Sequence, residues 1–88
     1  MSSVHEAITK HVTAQNRHLT EFLKLDARRE QAIGEVVRLC EAGQPFSVDE
    51  INRVTAEINK HAAQGISPQR VYVTSEMVSE YVKKRLRS

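Results

Sequence analysis

Residues 3–42, SVHEAITKHVTAQNRHLTEFLKLDARREQAIGEVVRLCEA, decide the fold. The stretch holds no proline, and its only glycine is Gly34. Apolar residues recur at helical spacing: Val4, Ile8, Val12, Leu19, Phe22, Leu23, Ile33, Val36, Val37 and Cys40. That periodicity predicts one helix of about 40 residues, ~60 Å long at the usual rise. An average helix has only ~11–12 residues, so the rest of the chain must find its core against this rod.

Ser3 is a suitable N-cap for it, and Glu6 completes a capping box. The seam then steps by four and three residues through Ile8, Val12, Gln15, Leu19, Phe22, Asp26, Arg29, Ile33, Val36 and Cys40, a coiled-coil cadence. Gln15, Asp26 and Arg29 break its apolar character. At Asp26 two readings compete. Either the helix is continuous, straight or bent, and Leu23 or Leu25 carries the core past a polar rim, or the chain breaks and Asp26 caps a new helix. The segment KLDARRE is good helix material without a breaker, which favours continuity. Asp26 and Arg29 are also spaced for a surface ion pair of ~0.2–0.5 kcal/mol. Gly34 destabilises a helix interior by ~1 kcal/mol relative to Ala; close packing against another helix would justify it.

Outward from this stretch the punctuation is clear. Gly43 suits the left-handed residue just past a helix, and Pro45 forbids continuation. A second helix is expected over 47–64. Ser47 and Glu50 form its capping box, Phe46 and Ile51 its hydrophobic staple, and Val48, Ile51, Val54, Ile58 and Ala62 its apolar face. Gly65 and Pro68 stop it. Gln69-Arg70-Val71-Tyr72-Val73 favours extended backbone. It can pair with the Pro45–Phe46 segment or bridge two helices, and its shortness favours bridging. A third helix is expected over 74–86, capped by Thr74 and stapled by Val73 and Val78, with Met77, Val78, Tyr81, Val82 and Leu86 on its face. The fold class is therefore all-α, a single domain spanning 1–88.

Charge and composition narrow the functions. The net charge is +2, from 13 basic and 11 acidic residues. The basic excess lies after residue 70, where Lys83, Lys84, Arg85 and Arg87 outnumber Glu76 and Glu80. Cations in a last helical turn complement the helix dipole; contact with nucleic acid is the alternative. The order of helix, turn and helix resembles a helix-turn-helix. However, the third helix opens with Glu76 and Met77 instead of base-reading side chains, and the link exceeds the usual 3–4-residue turn. Cys40 is the sole cysteine, expected as a small buried hydrophobe. The N-terminus lacks the pattern of a signal peptide, and no apolar run reaches membrane-spanning length, so a cytoplasmic location without membrane contact is expected.

No catalytic motif appears: there is no phosphate-cradling glycine loop, nucleophile elbow or HExxH. His11, Gln15 and His18 share a helical face, but the two histidines lie ~10 Å apart along the axis, too far for a chelating pair. His5 and His61 stand apart from them. Solvated or interfacial histidines are expected, with no metal, cofactor or small-molecule ligand.

Three segments, VHEAI at 4–8, RLCEAGQPFSV at 38–48 and VTSEMVSEYV at 73–82, resemble the YpbS-like family of small proteins from Bacillus-type bacteria, a domain of unknown function. The resemblance spans nearly the whole chain. It implies a bacterial, cytosolic protein, and it carries over no activity and no site residues.

The remaining expectation is a partner. If the two shorter helices fold back on the C-terminal half of the long one, its N-terminal half is left bare, and a bare apolar stripe marks an interaction site. The self-association face would comprise Ile8, Val12, Gln15, Leu19 and Phe22. The occupant would be a second copy, giving a homodimer with Gln15 fixing register, or another helical protein.

Overall fold

In the computed structural model the backbone is described for residues 2–65 and 67–87, and side chains for 16–65 and 67–86. Helix α1 runs Ser2–Glu41, α2 Asp49–Ala62 and α3 Ser75–Arg87. The all-α expectation holds, and each boundary lies within two residues of the one read from sequence. α1 passes through Asp26 without interruption, so continuity is the correct reading there. The caps expected at Ser3 and Glu6 lie outside the described side chains.

α1 ends in a Schellman arrangement. The Gln44 N–H donates to the Leu39 carbonyl at 2.9 Å, and the Gly43 N–H to that of Cys40 at 3.1 Å. Gly43 adopts φ +69°, where a side chain would be strained. The chain then turns back, and α2 packs antiparallel along α1. The Ser47 hydroxyl accepts from the Asp49 N–H at 3.1 Å. Glu50 does not complete the capping box. It takes a bidentate bond from Arg53, at 2.7–3.0 Å, and that guanidinium holds its carboxyl below the usual range. The i,i+3 ion pair wins because it satisfies both charges at once.

Two apolar clusters hold the body together. Val36 and Val37 of α1 pack with Ile51 of α2 and with Val78 and Val82 of α3; Ile33, Cys40, Phe46, Val48 and Val73 close around them. Phe46 and Val73 thus serve as the expected staples. The second cluster joins Phe22 to Val54 and Ile58, with Leu25 against it. Leu25 is the residue that carries the core past Asp26, while Leu23 stays 64 % exposed.

Two expectations fail locally. A Cβ on Gly34 would meet nothing within 4 Å, so helix packing does not explain that glycine. Among the described side chains of α3 only Val78 and Val82 are buried; Met77, Tyr81 and Leu86 are exposed. A single supporting helix leaves room for a narrow stripe, not for the full apolar face. Thr74 does cap α3, accepting from the Met77 N–H at 3.2 Å.

Between α2 and α3 the residues 67–74 form an extended strap that runs back along α2, over its groove with α1. It carries no strand pairing, so it bridges, as its shortness suggested. The molecule measures 64 × 24 × 15 Å.

Candidate functional site

The strap is held by side chains that take the place of a neighbouring strand. Asn59 accepts from the Arg70 N–H at 2.8 Å and donates to the Arg70 carbonyl at 3.0 Å. One strap turn later Asn52 does the same for Val73, at 2.8 Å in both directions. α1 contributes the other wall. Arg29 donates through Nη2 to the Val71 carbonyl at 2.8 Å and through Nε to the Thr55 hydroxyl at 3.0 Å. Thr55, fully buried on α2, passes its own proton to the Ile51 carbonyl at 2.8 Å. Asp26 takes the Arg70 Nε at 2.9 Å, and this bond raises the guanidinium's pKa further. The Arg70 guanidinium also sits 5.1 Å above the Phe22 ring.

This arrangement corrects the reading of the seam. Asp26 and Arg29 do not pair with each other. Each turns to a residue far along the chain, and the polar gap in α1 is the docking place of the strap. Asn52 and Asn59 went unread as functional. The signal was there, because asparagine disfavours helix interiors and two of them seven residues apart lie on one face.

At the far end of the strap His18 and His61 stack, ring centroids 3.7 Å apart and 13° from parallel. The spacing from His11 misled the sequence reading: the partner of His18 is His61, brought over by α2. The His61 Nε2–H donates to the His18 carbonyl at 2.7 Å, which fixes its tautomer, since a carbonyl only accepts. His18 Nε2 lies 3.1 Å from the Ser67 hydroxyl. A Cβ on Gly65 would fall 2.8–2.9 Å from three atoms of the His18 ring. A side chain at Gly65 would therefore displace the His18 ring, a constraint beyond the helix-stop role. With His61 on one face and Gly65 over the other, the ring is boxed.

The Ser67–His18 contact has the outline of a nucleophile and base. Among the described residues no carboxylate is hydrogen-bonded to the His18 imidazole, so the contact lacks the third group of a triad. Nor does any group of three His, Cys, Asp or Glu side chains among the described residues converge as metal ligands.

The residues expected to form the contact face are distributed unequally. Phe22 is 6 % exposed and belongs to the molecule's own core. Leu19 is 46 % exposed. Ile8, Val12 and Gln15 lie outside the described side chains. In the basic C-terminal group, Lys83 and Lys84 are exposed. Arg85 reaches Glu41 at 3.4 Å and lies 5.6 Å over the Tyr81 ring. The Arg87 side chain is outside the described residues. No helix among the described residues is long and apolar enough to cross a membrane.

The comparisons agree with the resemblance seen in the sequence. Residues 2–84 match the family described as protein of unknown function (DUF2533). The chain is 43 % identical over 84 residues to the uncharacterized protein YpbS of Bacillus subtilis strain 168, covering 96 % of this chain and 99 % of that protein. No solved structure matches. The chain belongs to this bacterial family of unknown function.

Proposed function

We propose that this family member is a non-enzymatic, cytoplasmic interaction module that self-associates through the N-terminal half of α1. One observation carries the reading. Leu19 and Leu23, a helical turn apart, stay 46 % and 64 % exposed where the packed body ends. Beyond them α1 continues to Ser2, and Ile8 and Val12 stand at the preceding apolar seam positions of the sequence.

Burying such a stripe against a second copy removes apolar surface from water at about 25 cal/mol per Å². A two-fold axis meets that need with one surface. Velocity sedimentation across concentration tests the idea. The expected result is a concentration-dependent mass for the natural chain and a soluble monomer for the Val12→Asp/Leu19→Asp variant. An unchanged mass in the variant, or a monomer at every concentration for the natural chain, overturns it.

A further inference from the structure

We propose that the groove between α1 and α2 beneath the strap is a binding site for an extended peptide of the pattern Arg-x-x-Val, with the strap as its tethered occupant, exchangeable for such a segment of another protein. The polar walls of the groove are Asp26, Arg29, Asn52 and Asn59. None of them belongs to the self-association stripe, so the two proposals fail separately.

The contacts show how the groove recognises what lies in it. Asn59 and Asn52 each bond both the N–H and the carbonyl of one strap residue, Arg70 and Val73. Arg29 donates to the Val71 carbonyl between them at 2.8 Å. Every one of these bonds goes to main chain, which any extended segment carries. Strand addition works the same way: main-chain bonds hold the peptide, and pockets for particular side chains select it. Two such pockets are present. Asp26 takes the Arg70 Nε at 2.9 Å, with the Phe22 ring 5.1 Å under the guanidinium, and the apolar cluster around Val36 and Ile51 takes Val73. Val71 and Tyr72 are 72 % and 51 % exposed, so the two positions between the anchors are open to any side chain. Both anchor positions must offer an N–H, which excludes proline there.

Exchange requires an occupant that can leave without stranding what it covered, and the groove meets that condition. The strap packs on the apolar core through Val73, a single valine. The buried polar side chain of the floor, Thr55, donates to the Ile51 carbonyl at 2.8 Å and accepts from Arg29 at 3.0 Å. Both partners belong to α1 and α2, so Thr55 stays satisfied when the strap lifts. Asn52, Asn59 and Asp26 are only partly buried and return to water. An unpartnered buried group is what makes such an opening costly, and lifting the strap leaves none in the floor.

Titration of the full chain with the end-blocked synthetic peptide SPQRVYVT, a copy of residues 67–74, tests the site by NMR. The Arg70→Ala chain, whose own strap lacks one anchor, is measured beside the natural one. It should bind the peptide saturably and about tenfold more tightly than the natural chain, because a tethered occupant competes at an effective concentration in the millimolar range. In the natural chain, excess peptide should speed hydrogen exchange at the Arg70 and Val73 amides, which the asparagine brackets protect. This second measurement decides the matter if Arg70→Ala fails to fold. Replacing the peptide's arginine with alanine should weaken binding about tenfold, the loss of one charge-assisted bond, and Asn52→Asp with Asn59→Asp in the protein should weaken it at least as much. Absence of both saturable binding and faster exchange up to about 5 mM peptide, or equal binding of the alanine peptide, overturns the proposal.

Discussion

Asn52 and Asn59 show how much one side chain type can decide. Each amide offers an acceptor and a donor in the geometry of a peptide group, so each satisfies both backbone groups of one strap residue. Replacing Asn59 with Asp keeps the shape but turns the donor into a second acceptor, leaving the Arg70 carbonyl facing a carboxylate. Losing one such bond and stranding a partly buried carbonyl should destabilise by about 1–3 kcal/mol. Urea unfolding monitored by circular dichroism measures it, and Asn59→Gln, which moves the amide outward, should give no rescue. The polar residues on the seam of α1 were legible as exceptions to an apolar pattern. Their partners were not, because Asp26 and Arg70 are separated by 44 positions and no local rule spans that distance.

At the scale of elements, sequence punctuation placed the helices well because caps and stops act within a few residues. Gly43, Thr74 and the staples at Phe46 and Val73 perform the roles their spacing implied. What spacing could not say is which faces find cover. α3 presents a wide apolar face on paper, and among its described side chains Val78 and Val82 alone are buried. The strap bridges α2 and α3 as its shortness implied, and it is also hydrogen-bonded to both α1 and α2. Its strength rests partly on the Asp26–Arg70 pair, whose side chains are 23 % and 32 % exposed. A double-mutant cycle with Asp26→Ala and Arg70→Ala should return a coupling energy of about 1 kcal/mol, above a fully exposed pair. Arg70→Ala should be the costlier single change, since it also removes the guanidinium from the face of Phe22.

The whole molecule is a rod with its body toward one end. Its Cα radius of gyration is 18.1 Å, against the ~12 Å expected for a compact chain of this length. The length of α1 makes this extension inevitable, and it was visible in the unbroken helical pattern. Small-angle scattering of the Val12→Asp/Leu19→Asp variant should give a radius of gyration near 18 Å. The natural chain should exceed that value as concentration rises, because a copy joined through the far end of α1 adds mass away from the body. The identity of the contact residues was only partly legible. Phe22 sits on the same stripe as Leu19, and nothing in the periodicity announces that the core claims one and not the other.

The two asparagine brackets also set a length standard. Seven residues of α2 advance about 10.5 Å, and three residues of extended strap cover about 10 Å. The two repeats are commensurate over this one interval, so both brackets close together or not at all. One residue inserted between Arg70 and Val73 would leave the strap too long by about a third and turn its side chains to the opposite face. The same insertion at Pro68 or Gln69, ahead of the first bracket, would be taken up as slack. The span from Arg70 to Val73 is therefore a ruler cut to the spacing of Asn52 and Asn59.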